Sequence, residues 1–135
     1  MYGFLSNMHE CPVVYDGIRY NSSEAAFQAQ KTKNLEERKK ISQMNGSNSK
    51  RYIRTIPIRD DWDDVRLEIM EAVCRAKFDQ NPPLKELLIY TLGEELIEGN
   101  TWGDTFWGVY KKHGQNHLGK ILMKLREEYL KEAES

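Results

Sequence analysis

Two carboxylates stand in settings that suit chemistry. Asp104 lies in a stretch crowded with glycine and tryptophan, Glu98-Gly99-Asn100-Thr101-Trp102-Gly103-Asp104-Thr105-Phe106-Trp107-Gly108, which Gly114 to Gly119 follows. Glycines at this density let backbone approach a ligand or take up positive φ, and tryptophans beside them supply flat apolar walls. Glu24 follows Asn21-Ser22-Ser23, a run of helix N-caps, and so falls in a first helical turn. There it either complements the helix dipole or faces a cleft near the small polar pair Ser6-Asn7. Trp62 begins another helix, either as core or as a stacking surface. Two carboxylates with an aromatic wall fit cleavage of a glycosidic bond, where positive charge develops at the anomeric carbon and a carboxylate stabilises it or activates water.

Other chemistries have less support. His113 and His117 are four apart, but Gly114 interrupts the segment and no third ligand is near, so no metal is expected. No Walker loop, GxGxxG or paired CxxC occurs, and no serine or cysteine has a nucleophile signature. Cys11 and Cys74 match no metal spacing; Cys74 falls in an apolar helical pattern, and no disulfide is expected.

These residues need elements to position them. Cys11–Tyr15 and Ile18–Tyr20 flank Asp16-Gly17, a hairpin turn signal. Helices are predicted over about 24–33, with Ala25, Ala26, Phe27 and Ala29 as a close-packing face, and over about 35–44, with Asn45-Gly46 as its C-cap. A short helical piece is predicted near 48–54. Asp60-Asp61 is read as the cap of a long helix over 62–79, where Trp62, Val65, Ile69, Met70, Val73, Ala76 and Phe78 keep helical period. Pro83 opens a helix that ends at Gly93. Leu96-Ile97 reads as a short buried strand. Leu118, Ile121, Leu122, Leu125 and Tyr129 form one stripe of a last helix. The expected fold is a predominantly helical α+β single domain over 1–135, with small strands near the N-terminus and around 96–109.

The 135 residues suffice for a real core, and their net charge of −1 hides an asymmetry. Residues 31–59 hold nine Lys/Arg against two acids, and 60–104 hold twelve acids against four bases. The basic block is either a solvated helix face or a surface for phosphates. No run of about 18 apolar residues occurs, so no membrane span is expected. The N-terminus lacks signal-peptide features, so a cytoplasmic protein is expected.

Six separated stretches occur in one order: Phe4-Leu5-Ser6-Asn7; Tyr20 to Glu24 with Gln28 and Lys31; Trp62 with Arg66 and Met70; Lys77-Phe78; Leu96-Ile97-Glu98; Asp104 to Gly108; then Gly114 to Met123 with Arg126 makes a seventh. On these the chain resembles the YbiA/NADAR family over nearly its whole length. The resemblance implies a YbiA-like fold and an N-glycosidase that hydrolyses the bond between a ribosyl group and a nitrogen, without cofactor or metal. It implies a small ribosyl or ADP-ribosyl substrate: ribosylamino-pyrimidine phosphates of riboflavin biosynthesis, or ADP-ribosyl-guanine in modified nucleic acid. The alternative is a non-catalytic module that binds ADP-ribose or a nucleotide. Family catalytic positions fall on Glu24, Trp62 and Asp104, with acid and base unassigned. Ligand contacts fall on Asn7, Lys31, Trp107, Gly108 and Asn116, with Arg126 as a second cation for phosphate. The chain departs from the pattern at Val109-Tyr110-Lys111, where many members have a glycine. It begins almost at Phe4, so no N-terminal extension over the site is expected.

Overall fold

The computed structural model describes residues 3–134, which divide into two compact units, Phe4–Pro82 and a second from Pro83 onward. A 3₁₀ turn at Gly3–Leu5 leads into the first unit. The hairpin forms as the turn signal predicts, with β1 at Glu10–Tyr15 and β2 at Ile18–Ser22. Asp16 and Gly17 take φ of 50° and 83°, the left-handed pair that a two-residue hairpin turn needs. Val13 opposes Tyr20, and both are buried; the register slips between Glu10 and Val13, where Pro12 has no N–H to give to a ladder.

Four helices complete this unit: α1 Ser23–Ala29, α2 Leu35–Ile41, α3 Gly46–Ile53 and α4 Trp62–Gln80. Ser22 caps α1 by accepting from the Ala25 N–H at 3.1 Å. Every residue of α1 is buried, which its three alanines allow by bringing neighbours close. Asn45 caps the start of α3 by accepting from Asn48 N–H at 2.8 Å. So Asn45-Gly46 opens a helix where the sequence suggested the end of one; α2 stops at Ile41. Asp61 precedes α4, but its side chain caps nothing. Its carboxylate instead takes both Nε and Nη2 of Arg59, at 2.6 and 2.9 Å, and this pairing holds the acid down at about 2.

The C-terminal end of α4 pins the N-terminal strands. Gln80 donates to the Val14 carbonyl and accepts from its N–H, and Asn81 donates to the Pro12 carbonyl. Lys77 is 0% exposed, and its Nζ donates to the carbonyls of Phe4 at 2.8 Å and Ser6 at 3.0 Å.

The second unit has α5 at Pro82–Tyr90 and α6 at His117–Glu134. The α6 stripe is buried as its period predicts, from Leu118 to Tyr129. The strand expected at Leu96-Ile97 does not form. Between the two helices the described residues hold only isolated bridges, Gly99 with Val109 and Tyr110 with His113. Leu96 is buried, but its carbonyl bonds a side chain, Asn116 Nδ2, so no ladder starts there. Among the described residues the architecture is a mostly helical α+β fold with one two-stranded sheet. No described helix is long and apolar enough to cross a membrane.

Replacing Lys77 with Met keeps the buried stem but leaves two carbonyls without their charged donor. K77M should lower stability by roughly 2–3 kcal/mol in urea unfolding. An unchanged midpoint would show that the two contacts carry no net stability.

Candidate active site

In the first unit the start of α1 is fixed before its side chains are. The Asn7 carbonyl accepts the Glu24 N–H at 2.9 Å, and Asn7 Oδ1 accepts from Ser23 Oγ at 2.8 Å. Asn7 Nδ2 donates to Met70 Sδ at 3.3 Å, and the Cys74 thiol points to Asn7 Oδ1. Asn7 thus spends its side chain inside the unit, and its effect on the site is to hold Glu24. Burial pushes the Cys74 thiol up to about 12, so it is packing rather than a nucleophile.

Glu24, Gln28 and Lys31 are spaced four and three apart, which stacks them on one side of α1 and the turn that closes it. Glu24 is 8% exposed, and its Oε1 accepts from Gln28 Nε2 at 3.2 Å. Gly46, first residue of α3, lies against its aliphatic stem. A Cβ at 46 would fall 3.1 Å from Glu24 Cβ and 2.5 Å from Met8 Sδ.

Lys31 Nζ lies 5.7 Å from the ring centroid of Trp62, and Phe27 packs on the same ring at 5.1 Å. Trp62 is 8% exposed, so it is a wall that holds its neighbours more than an open platform. Burial pulls the Lys31 ammonium below the usual lysine range; Glu24 acts to raise it, and Lys50 and Arg54 push it lower. Lys50 of α3 and Arg54 just after it therefore reach Lys31 with their field, which brings part of the basic block near Lys31.

Beyond Lys31 lies a cavity of about 490 Å³, lined by Thr32, Lys33, Pro57, Ile58, Arg59, Asp60 and Asp61. It takes in none of the residues that the sequence marks for catalysis.

The second unit holds the others. Asn100 and Asp104 exchange hydrogen bonds: Asn100 Oδ1 accepts from the Asp104 N–H at 2.9 Å, and Asn100 Nδ2 donates to the Asp104 carbonyl at 2.8 Å. Asp104 Oδ1 accepts the N–H groups of Phe106 at 3.0 Å and Trp107 at 2.9 Å. The carboxylate thus shapes its own loop. Trp107 is half-buried and meets Phe106 edge-on at 4.8 Å. The carbonyls of Phe106 and Trp107 take the His117 and Leu118 N–H groups, which α6 leaves unpaired at its start.

The glycines of this loop make room for its own backbone. A Cβ at Gly108 would sit 2.1 Å from the Glu98 carbonyl oxygen, and one at Gly119 would sit 2.2 Å from that of Leu96. Asn116, at φ 52°, accepts from Glu98 N–H at 2.9 Å and donates to the Leu96 carbonyl at 2.9 Å. Arg126 is buried, with Nη1 donating to the Thr91 carbonyl at 2.7 Å and to its Oγ1 at 3.0 Å. Asn116 and Arg126 hold chain to chain.

The structure therefore brings Asn7, Glu24, Lys31 and Trp62 together in the first unit. Asp104, Trp107, Gly108 and Asn116 share one loop of the second, and Arg126 ties α6 to the end of α5. Sequence reading gave Gln28 no role in the site and took Gly46 for the end of a helix. The spacing of four from Glu24 was the signal for Gln28. Gly46 had none, because its reason is a contact with a residue 22 positions earlier.

Residues 1–130 match the NADAR domain family. The chain is 37% identical over 131 residues to the N-glycosidase YbiA of Escherichia coli, covering 94% of this chain and 81% of that protein. It is 38% identical over 131 residues to a riboflavin biosynthesis protein of Vibrio vulnificus, of which it spans 35%. The solved NMR structure of E. coli YbiA superposes with a TM-score of 0.85 at 35% identity, over 97% of this chain and 80% of that one.

Two outcomes follow from this geometry. A folded-state pKa below the unfolded value makes the Lys31 charge costly to stability at pH below both values, and the cost fades as pH rises toward the usual 10.5. K31M should therefore melt at higher temperature than wild type at pH 7, with the gap closing as pH approaches 10.5; a lower melting temperature at pH 7 would refute this. G46A gains helix propensity of up to about 1 kcal/mol but overpacks Glu24 at about 1–3 kcal/mol. A net loss of about 1 kcal/mol in urea unfolding is expected, and a gain would show that Glu24 gives way freely.

Proposed function

The chain belongs to the NADAR domain family, and from that premise we propose that it is an N-glycosidase, a hydrolase that cleaves the bond between a ribosyl carbon and a nitrogen. One observation carries the reading: Glu24 is held at three points, by the Asn7 carbonyl on its backbone, by Gln28 on its carboxylate oxygen and by Gly46 beside its stem. A nearly buried carboxylate fixed in this way is pre-organised to act on a developing cation.

In the proposed reaction the C–N bond breaks as positive charge builds on the ribosyl carbon. Glu24 takes a proton from water, and the water oxygen bonds to that carbon. The leaving nitrogen departs with the electron pair of the broken bond and takes up a proton from solvent, and Glu24 returns the proton it removed from water, giving free ribosyl hydroxyl and free amine. Trp62 backs the group with Phe27. Lys31 offers positive charge to a substrate phosphate.

Asp104 enters on the family resemblance as the second carboxylate. What the structure supports for it is the shaping of its loop, and a variant must decide whether it does more. The contact roles of Trp107, Gly108, Asn116 and Arg126 rest on the same resemblance. One family runs through both units, which supports reading 1–135 as one functional domain.

Relatives named for riboflavin biosynthesis favour ribosylamino-pyrimidine phosphates as substrate. A second reading, removal of ADP-ribose from guanine in nucleic acid, is favoured by the field of Lys50 and Arg54 at Lys31, because a cluster of cations would meet a phosphate backbone.

The test incubates purified wild type, E24Q and D104N with both substrates and reads released ribosyl species by mass. E24Q should turn over at least about 10²-fold more slowly while keeping its fold. D104N should fall comparably if its carboxylate acts on substrate, and only its loop stability should fall if it does not. E24Q at wild-type rate would remove Glu24 from the chemistry. Wild type that binds ADP-ribose tightly and cleaves neither substrate would establish a binding module instead.

A further inference from the structure

Gln28 is 5% exposed, and its two amide atoms have different fates. Its Nε2 donates to Glu24 Oε1 at 3.2 Å, while its Oε1 is shut from solvent and has no hydrogen-bond partner. Reversing the amide is no remedy, since its oxygen would then face an ionised carboxylate that only accepts. A buried acceptor left unpaired lowers stability, and an apolar side chain of like size would avoid the cost. The oxygen is therefore an acceptor that no protein donor takes, on the same amide that donates to the proposed catalytic carboxylate.

The stereochemistry of the substrate says which donor. In hydrolysis with water on the face opposite the departing nitrogen, Glu24 lies on that opposite face of the sugar. In a β-riboside the 2-hydroxyl projects from the same face, on the carbon next to the reacting one. Phosphates carry no donor when ionised, and the leaving base lies on the other side. Hydrogen bonds to a 2-hydroxyl also strengthen as the ring becomes cationic.

We propose that Gln28 reads the ribosyl group, its Oε1 accepting from the 2-hydroxyl while its Nε2 holds Glu24 toward the anomeric carbon. This rests on the N-glycosidase reading for its chemistry. Because Oε1 is closed off in the free protein, binding must shift side chains above it.

Calorimetric titration of the full chain with ribose 5-phosphate and with 2-deoxyribose 5-phosphate tests this without needing turnover. Wild type should favour the ribose compound by roughly 3- to 10-fold, the range for one buried hydrogen bond. Q28M matches the volume and has no polar atom, so its preference should fall to near one. Q28L serves the same purpose if Q28M does not fold. Q28E keeps an acceptor and should keep a preference, while its second carboxylate repels that of Glu24 and lowers kcat by more than about tenfold. Equal affinity of wild type for the two sugars, or a preference intact in Q28M or Q28L, would overturn the assignment. Ribose preference without cleavage of any N-riboside by wild type would sink the N-glycosidase reading and leave Gln28 as a ribosyl contact.

Discussion

The hydrogen bond from the Glu24 N–H to the Asn7 carbonyl, 2.9 Å long, joins the chain's first segment to the start of its most buried helix. Much of the first unit exists to keep that join in place. Ser23 adds a second tie to Asn7, and Met70 and Cys74 of α4 close on the Asn7 amide from the other side. Lys77, one turn beyond Cys74, fixes the carbonyls of Phe4 and Ser6, which deliver Asn7 to its position. A seven-residue helix has little stability of its own. Its geometry comes from these contacts, so the direction of Glu24 is set by the packing of α4 and the hairpin rather than by local propensity.

The second unit solves a different problem with different means. Its long connection between α5 and α6 has only isolated bridges and scattered backbone bonds in place of a regular ladder, so side chains share the work of satisfying its backbone. Asn100, Asp104 and Asn116 each bond two or more backbone groups of the loop. Gly108 and Gly119 then let the strands of chain lie closer than any Cβ would permit. Glycine, asparagine and aspartate are thus dense here because an irregular loop must be internally bonded. That requirement gives the same composition as a ligand-binding loop.

This ambiguity marks the limit of what the sequence made legible. The hairpin was readable because Asp16-Gly17 can satisfy only a few turn geometries, and the α6 stripe because its period has one interpretation. Asn45-Gly46 was misread because the pair can end a helix or begin one. Here Asn45 caps α3 through the Asn48 N–H, a bond the pair alone does not display. Leu96-Ile97 looked like a strand because burial was read from hydrophobicity; what the sequence does not display is that no partner strand is there to pair. For the site, residue types and settings pointed to Glu24, Trp62 and Asp104, and Lys31 came only from the resemblance. The internal duties of Asn7, Asn116 and Arg126 depend on carbonyls whose positions only the fold supplies.

Most of the first unit obeys the ordinary rules of a folded chain: apolar side chains inward, helices capped, buried polar atoms bonded. Tyr20 departs from them on β2, with a buried hydroxyl that has no partner, but three other departures gather in one place. The half-buried Lys31 has a charge its surroundings disfavour, the Gln28 oxygen lacks a donor, and Glu24 is a carboxylate almost out of water. All three lie within eight residues, on one side of α1 and the turn that closes it. Each could be replaced by a group that suits a core better, and a sequence selected for stability alone would favour the replacement. Local violations of foldability gathered on one surface are what a binding or catalytic surface leaves in a structure. That inference uses no relative and no family, and it arrives at the same helix.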